Sequence, residues 1–328
     1  MDYERWKWWT PFTSPAGRES QSGWERLLKP VPKIRVPASS ANLGPGFDAL
    51  GLALGIYLDC WFERSEALAI SVQGRDAHAI STASDNLIWQ TALSVACAAG
   101  TELPLIDLRI CNDIPLGKGL GSSAAALTAG VVIADHLLGL QWDRPRILDV
   151  AAQMEGHPDN VAACVWGSIV ATAMQPGERV RVVRIELPAH YSVAVVVPDF
   201  ALPTVEARSV LPEYYSRQDA IFNVQRSALL MAALATGADD AFPAALEDRF
   251  HQPYRSPLVP GLLEILKLTG KGLLGCALSG AGPSVLVFHH KGQLAVCERV
   301  REIFANHGHD SEILWPEVDR GGYQFALS

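Results

Sequence analysis

The chain of 328 residues lacks several features that major protein classes need. None of its six cysteines forms a C-x-x-C pair, so neither a zinc ribbon nor a dithiol redox motif is indicated. A net charge of −8 argues against general nucleic-acid binding, which needs a basic face. No apolar run approaches the roughly 20 residues that span a bilayer, and the start, MDYERWKWWTPF, has no secretion-signal pattern. The sequence therefore predicts a cytoplasmic protein that binds neither nucleic acid nor membrane.

The organisation of the chain changes near residue 30. Residues 1–30 hold four of the nine tryptophans without clear periodicity, which indicates a loosely ordered extension or a start codon placed too early. From Lys33 on, strand and helix patterns are mixed without strict βαβ alternation, which favours an α+β fold over a doubly wound sheet. The length suggests about two domains. We place them at 31–187 and 188–328, with the boundary near Pro188.

Periodicity and turn residues predict most of the individual elements. The predicted strands are 34–36 (ending at Pro37), 50–63, 105–111, 168–173 and 191–197, with a strand, a Gly-rich turn and a second strand over 275–288. The predicted helices are 86–99, 122–138, 146–154, 220–234, 262–268 and 294–306. Residues 42–48 are predicted to form a loop, because two glycines and a proline break any regular element.

A glycine-rich segment at 115–125 is the first candidate for chemistry. Its three glycines allow close backbone approach, and Ser122 or Ser123 is predicted to cap a helix that runs to Leu138. A helix start offers free N–H groups and a partial positive charge to an anion such as a triphosphate. An ordinary capped helix after a flexible turn explains the segment equally well. It is neither a Walker A sequence nor a dinucleotide fingerprint, and Lys118 either touches a phosphate or is solvated.

Three segments together resemble a known superfamily. P-x-x-x-G-L-G-S-S-A-A at 115–125 resembles the phosphate loop of the GHMP kinases, which include galactokinases, homoserine kinases and mevalonate kinases. L-S-G-A-G-P-S at 278–284 resembles their third motif, and V-P-A-S-S-A-N-L-G-P-G-F-D at 36–48 resembles their first motif in the homoserine kinase form. The resemblance covers about residues 33–320. It implies a ribosomal-protein-S5-like N-terminal domain that binds ATP and a ferredoxin-like C-terminal α/β sandwich.

The segments outside the phosphate loop resemble the homoserine kinases in particular. These segments are E-G-H-P-D-N-V-A at 155–162, the stretch 199–212, F-N-V at 222–224 and D-R-F-H-Q-P-Y-R at 248–255. The resemblance implies phosphorylation of the L-homoserine hydroxyl by ATP with Mg²⁺, a step of threonine biosynthesis. It also implies a homodimer.

Residue roles follow from the same resemblance. ATP is expected to contact Pro115, Leu116, Gly117, Lys118, Gly119, Leu120, Gly121, Ser122, Ser123, Ala124 and Ala125, beside the third-motif loop of Ser279, Gly280, Ala281 and Gly282. Mg²⁺ is assigned to Ser123 and Glu155, and the catalytic residues are Glu155, Ser123 and Asn160. The substrate residues are Asn42, Asp48, His157, Asn160, Thr204, Arg208 and Arg255. The charges of these side chains agree with an amino-acid substrate, since Asp48 can pair with an ammonium group and the arginines can pair with a carboxylate.

The sequence does not identify the group that accepts the proton of the substrate hydroxyl. Many members of the superfamily use an aspartate base where this chain has Asn160, which cannot act as a base at neutral pH, and the adjacent Asp159 is not assigned that role. The proton is expected to leave to a phosphate oxygen or to water. His251 and the pair His289-His290 are interpreted as structural, since no metal-ligand pattern surrounds them.

Two other functions remain as alternatives. One is a GHMP kinase for a different small alcohol. The other is a catalytically inactive small-molecule-binding protein on the same fold, which is less favoured because Ser122, Ser123 and Glu155 are all present.

Overall fold

The computed structural model describes residues 31–327. The predicted extension at 1–30 lies outside the described residues, as does Ser328. The strands are β1 (Pro32–Ala41), β2 (Leu50–Arg64), β3 (Ala69–Gly74), β4 (Ile106–Asn112), β5 (Ile169–Ala173), β6 (Arg181–Ile185), β7 (Tyr191–Pro198), β8 (Leu273–Leu278), β9 (Val285–His290), β10 (Ser311–Leu314) and β11 (Gln324–Leu327). The helices are α1 (Leu87–Ala98), α2 (Ser122–Leu138), α3 (Arg144–Glu155), α4 (Asp159–Trp166), α5 (Thr204–Ser209), α6 (Arg217–Thr236), α7 (Gln252–Arg255), α8 (Leu262–Ile265) and α9 (Ala295–Asn306).

The first sheet contains the long hairpin β1–β2. Its main order is β11-β1-β2-β4-β3, and β5 extends from β2 and pairs in turn with β6. The pairings are antiparallel except for β3 with β4. In β4, buried and half-buried residues alternate strictly, as expected for a strand with one face on a core. The far end of β1 continues into the loop that begins at Asn42.

The second sheet has the order β10-β7-β9-β8 and is antiparallel throughout. One face of β9 carries Val285 and Val287, which pack with α8 and α9. The opposite face carries Leu286 and Phe288, which join a core cluster that also contains residues of the first sheet. One continuous core therefore connects the two sheets.

Helix α2 is the centre of the first layer. Eleven of its seventeen residues are buried, and it contacts α1, α3, α4 and β1. This burial fits its sequence, which is apolar on nearly every face from Ala124 to Ala134. The loop at 115–121 enters this helix, so its position is fixed by the core beneath it.

The predicted α+β class is confirmed by two sheets with helices packed against them. The domain division at 31–187 and 188–328 stays a prediction. Pro188 lies between β6 and β7, while β11, near residue 328, pairs with β1 of the first sheet.

Two local predictions are wrong. The first strand does not end at Pro37, because β1 passes through it to Ala41 with an irregularity between Pro37 and Ala38 that absorbs the missing N–H donor. Neither Ser122 nor Ser123 caps α2, since Gly121 occupies the N-cap position. No helix within residues 31–327 combines the length and the hydropathy needed to cross a membrane.

Candidate active site

The loop before α2 lies against the turn between β8 and β9. Gly119 has a φ of +73°, and a Cβ there would overlap the carbonyl oxygen of Ser279. Gly121 has a φ of +69°, and a Cβ there would overlap Ser39 Oγ. Both positions therefore need glycine for the backbone conformation and for the close approach.

The first turn of α2 keeps its backbone donors available. Gly121 has no side chain to accept from them, and no side-chain cap bond forms at this end. Free N–H groups at a helix start, together with the helix dipole, favour an anion. The absence of a serine cap thus strengthens the predicted anion site.

Ser123 and Glu155 meet beside this helix start. Ser123 Oγ donates to Glu155 Oε2 at 3.0 Å, and Glu155 is the last residue of α3, which Gly156 ends with a φ of +86°. Burial raises the pKa of the Glu155 carboxyl, although the charge of His157 and the Ser123 hydrogen bond oppose the shift. A hydroxyl and a carboxylate are the hard oxygen donors that Mg²⁺ prefers, so this pair fits the predicted metal site.

The start of α4 holds His157 and Asn160. Asp159 is buried, and its Oδ1 accepts from His157 Nδ1 at 2.6 Å and from the Asn160 N–H at 2.7 Å. Burial lowers the pKa of His157, but the hydrogen bond and the charge of Asp159 outweigh burial, so the net pKa is raised. Asn160 Oδ1 accepts from Ser39 Oγ at 2.9 Å. Asp159 therefore holds its neighbours in place.

The loop at 42–48 joins the first motif to the third. Asn42 has a φ of +70° and Asp48 a φ of +53°, which non-glycine residues seldom adopt. Asn42 Nδ2 donates to the Gly280 carbonyl at 2.9 Å, and Asn42 Oδ1 accepts from the Asp48 N–H at 3.0 Å. Asn42 thus fixes two loops, which leaves one N–H of its amide for a ligand.

Asp48 and Arg208 pair with each other. Arg208 Nη2 lies 2.8 Å from Asp48 Oδ1, and Nη1 lies 3.3 Å from Oδ2. Each side chain is about one-third exposed. The two residues were predicted to hold opposite charges of one substrate, and the structure places these two charges together at the cavity.

Arg255 is more deeply buried than Arg208 and makes more hydrogen bonds with the protein backbone. It is 2% exposed and donates to the carbonyl oxygens of Ala207 at 3.0 Å and Gly280 at 2.9 Å. Burial lowers its pKa to about 10, and the charge of Arg208 adds to that effect. The ring of Phe47 lies 5.5 Å from the Arg255 guanidinium and 5.7 Å from that of Arg208, which orients both.

The third-motif loop is tied to both of the others. Ser279 Oγ contacts Ser40 Oγ at 2.8 Å and donates to the Gly119 carbonyl at 2.7 Å. The Gly280 N–H donates to the Ala41 carbonyl at 3.1 Å. The predicted Gly-rich turn is therefore the part that holds the first motif against the phosphate loop.

A cavity of about 130 Å³ opens where these loops meet. Its lining consists of Ala41, Asn42, Asp48, Gly117, Gly119, Leu120, Gly121, Ser122, Ser123, Glu155, His157, Asp159, Asn160, Leu202, Pro203, Thr204, Arg208, Arg255, Gly280 and Ala281. All the predicted metal and substrate residues are among them. Seven of the predicted phosphate-loop and third-motif residues lie outside the lining: Pro115, Leu116, Lys118, Ala124, Ala125, Ser279 and Gly282.

Lys118 donates hydrogen bonds to the protein backbone. Its Nζ donates to the carbonyl oxygens of Pro198 and Phe200, each at 2.7 Å, and burial lowers its pKa. The half-buried ammonium group is therefore held by the protein backbone, and Lys118 is not among the residues that line the cavity. It anchors the phosphate loop to the end of β7.

Sequence reasoning missed two residues of the site. Ser39 supports Asn160, and Phe47 supports the two arginines. Both lie within the first motif, and membership of that motif was the available signal. His251 is buried, donates to the Gly44 carbonyl at 2.7 Å and accepts from Arg255 at 3.2 Å, which agrees with a structural role.

Asp48, His157 and Asp159 place one potential ligand atom each within 4.8 Å of one another. Arg208 already neutralises Asp48, and His157 already pairs with Asp159. The cluster is therefore an ion-pair network, and His157 Nε2, 4.0 Å from Glu155 Oε1, connects it to the Ser123–Glu155 pair.

Known proteins resemble the chain along most of its length. Residues 86–168 match the GHMP kinases N terminal domain, and residues 230–306 match the GHMP kinases C terminal family. A homoserine kinase of Solibacter usitatus is 63% identical over 293 residues, which cover 89% of this chain and 96% of the relative. One of Deinococcus radiodurans is 43% identical over 88% of this chain and 95% of the relative.

A solved structure resembles the whole fold. The crystal structure of a homoserine kinase from Cytophaga hutchinsonii superposes with a TM-score of 0.79 at 26% identity, covering 92% of this chain and 99% of the other. The two matched family segments contain the phosphate loop, Glu155 and Asn160 in the first and Arg255 with Gly280 in the second.

Proposed function

Because the chain belongs to the homoserine kinase family of the GHMP kinases, we propose that it transfers the γ-phosphoryl group of ATP to the side-chain hydroxyl of L-homoserine. The products are O-phospho-L-homoserine and ADP, and the reaction serves threonine biosynthesis. The observation that carries the proposal is one cavity with two chemically different walls. One wall is the uncapped start of α2 beside Ser123 and Glu155; the other holds Asp48, His157 and Arg208.

The second wall suits an amino acid. L-Homoserine carries an ammonium and a carboxylate, and the Asp48–Arg208 pair offers one group of the opposite sign for each. We propose that the substrate inserts between them and exchanges one ion pair for two. Nη2 of Arg255 makes no hydrogen bond with residues 31–327 and Arg255 lines the cavity, so Nη2 is assigned as a second donor to the carboxylate.

The hydroxyl end is assigned to the start of α4. His157 Nδ1 is held by Asp159, so Nε2, which lies 4.0 Å from Glu155 Oε1, is the nitrogen assigned to the ligand. Asn160 Oδ1 is held by Ser39, which leaves the amide N–H groups to point the hydroxyl oxygen at the γ-phosphorus. These contacts fix orientation, which is the main requirement of phosphoryl transfer.

The phosphates are assigned to the backbone of 117–123 and the start of α2. Ser123 and Glu155 would hold Mg²⁺, which supplies charge neutralisation for the phosphate oxygens when bound. As the hydroxyl oxygen forms its bond to the γ-phosphorus, the bond to the leaving ADP oxygen breaks, and the hydroxyl proton leaves to a phosphate oxygen or to water. Asn160 cannot accept that proton, and Asp159 is buried and already accepts two hydrogen bonds.

A coupled ADP-release assay with L-homoserine, L-serine, L-threonine and mevalonate tests the proposal. L-Homoserine is expected to stimulate ADP release well above the other three compounds. Stimulation by mevalonate alone would favour a GHMP kinase for another alcohol, and binding of ATP without any turnover would favour an inactive binding protein. We further propose a cytoplasmic location and a homodimer, with the family resemblance as their support.

A further inference from the structure

A second cavity of about 720 Å³ opens between the two sheets. Its wall includes Tyr57 on β2, His289 on β9 and Trp315, which follows β10. Helix α4 separates it from the site above. Asp159 begins that helix at the active site, whereas Ser168, just after its last turn, lines the second cavity. Eight helical residues correspond to about 12 Å.

Two residues that line this cavity each carry a buried polar atom without a protein partner. The atoms are the hydroxyl oxygen of Ser168, a residue 0% exposed, and Nε2 of His289, a residue 1% exposed; neither atom has a hydrogen-bond partner within residues 31–327. Buried polar atoms without hydrogen-bond partners are rare in folded proteins, and each one needs a physical explanation. Both atoms belong to residues that line the same cavity.

The chemistry of His289 defines what a partner must offer. Its Nδ1 lies 2.9 Å from the carbonyl oxygen of His290, which can only accept, so Nδ1 carries the proton. Burial lowers the pKa of this histidine, and the ring is therefore neutral at physiological pH. In that tautomer Nε2 is an acceptor, and a ligand must bring an N–H or O–H donor to it.

The lining also carries the aromatic side chains of Tyr57, Tyr191 and Trp315, and it does not favour anions. Trp315 stands edge-on to His289, with centroids 6.2 Å apart, and 46% of it is exposed. The Tyr57 hydroxyl is committed to Asp319 at 3.1 Å, and Arg320 is paired with Glu186 at 3.5 Å. The charged residues of the lining are Glu186, Glu317, Asp319, Lys291 and Arg320, three acids against two bases.

We propose that this cavity binds a planar, uncharged aromatic heterocycle with a ring N–H. The N–H donates to His289 Nε2, and the ring packs against the exposed surface of Trp315. An aromatic surface beside one buried acceptor recognises such a ring, because it offers apolar area and a donor in one rigid unit.

Benzimidazole and N-methylbenzimidazole form a matched pair of probes, because only the first has the N–H. Isothermal titration of the full chain, with ADP and Mg²⁺ saturating, is expected to show benzimidazole binding. N-Methylbenzimidazole is expected to bind about 3- to 10-fold more weakly, the value of one hydrogen bond. His289→Leu should abolish the difference between the probes, and Trp315→Ala should weaken both. His307→Leu, at a surface histidine paired with Glu264, should change neither.

Three results would overturn the proposal: no binding of benzimidazole with or without ADP, equal binding of the two probes to the wild-type chain, or binding that occurs without ADP and is lost when ADP is saturating. The last would assign the heterocycle to the nucleotide site. If His289→Leu fails to fold, the probe pair on the wild-type chain and the Trp315→Ala variant still decide the question, since neither needs a change at His289.

Discussion

Arg208 and Arg255 share the ring of Phe47, yet they differ in how far they are free to serve a ligand. Arg208 is partly exposed, and Asp48 is its only hydrogen-bond partner within residues 31–327. Arg255 holds two carbonyl oxygens in a buried setting, so its loss would leave those oxygens without donors. An effect of Arg255 on substrate binding is therefore mixed with an effect on folding, whereas Arg208 reports binding more directly.

Arg208→Gln should raise the KM for L-homoserine about 10- to 100-fold, because a charged hydrogen bond to the carboxylate is lost. The KM for ATP should stay within about twofold, since Arg208 belongs to the other wall of the cavity. Steady-state kinetics with each substrate varied in turn measures both values. Arg249→Gln is the matched control, because Arg249 pairs with Asp219 instead. Equal increases in both KM values would contradict the assignment.

Glu155→Gln should reduce kcat by about 100-fold and raise the Mg²⁺ concentration needed for half-maximal rate, because a neutral amide replaces the anionic oxygen donor. Initial rates over a Mg²⁺ titration measure both quantities. Glu206→Gln, at an exposed glutamate in the first turn of α5, serves as the control. Near-normal kinetics in the Glu155 variant would remove this residue from the metal site.

His157→Gln should lose stability in a pH-dependent way. The pKa of His157 is raised above 6.5 in the folded protein, mainly because Asp159 outweighs burial. Its stabilisation is therefore fully present below about pH 6.5 and is lost as the pH rises through the raised value. Urea unfolding at about pH 6 and about pH 9 should show a larger deficit of the variant at the lower pH. A deficit that grows with pH would reverse the sign and contradict the prediction.

At the scale of elements, local signals predicted β2 and α1 well. Asn86, the first residue of the predicted helix, is the N-cap of α1 and accepts from the N–H groups of Ile88 and Trp89. The edge strands β3 and β6 were missed, because partly exposed strands carry a weak alternation. The three site loops were each predicted as loops, but their mutual contacts, such as Asn42 with Gly280, join residues 238 positions apart and leave no local signal.

Gly119→Ala should destabilise the protein clearly more than Gly139→Ala. Both glycines have positive φ, +73° and +65°, so alanine costs about 1–2 kcal/mol of backbone strain at either position. At Gly119 the new Cβ also overlaps the Ser279 carbonyl, whereas at Gly139 it meets open space. Urea unfolding free energies and the KM for ATP are the readouts.

Equal losses of stability in the two variants would mean that the contact between the phosphate loop and the third motif is not tight. A normal KM for ATP in a destabilised Gly119→Ala protein would separate the loop contact from phosphate binding.

At the scale of the whole molecule, the two sheets share a core. Phe288 on β9 belongs to the same buried cluster as Leu54 on β2. The composition and the mixed patterns predicted the α+β class. They did not predict the common core of the two sheets, because tertiary packing decides which face of a buried strand lies against the other sheet. The family motifs predicted which segments form the site. They did not predict how Lys118 and Arg255 are held, because both side chains bind backbone carbonyl oxygens that no motif specifies.

Phe288→Ala should lower the free energy of unfolding by about 3–5 kcal/mol, as for other buried aromatic truncations. Far-UV circular dichroism and tryptophan fluorescence should shift together along the urea axis, because the lost contacts serve both sheets. Val183→Ala, at an apolar residue 65% exposed on β6, should change little. Two separated transitions in the Phe288 variant would show that the sheets unfold independently.

The pairing of β11 with β1 has a consequence for how the protein is made. Residues 324–327 close an edge of the sheet whose first strand starts at Pro32, so during translation that edge stays open until residues 324–327 have left the ribosome. Until then β1 presents unpaired backbone groups that can recruit a foreign strand. Until it is closed, this edge at β1, the earliest of the strands in residues 31–327, is exposed to misassembly, which makes it a natural point of action for a chaperone.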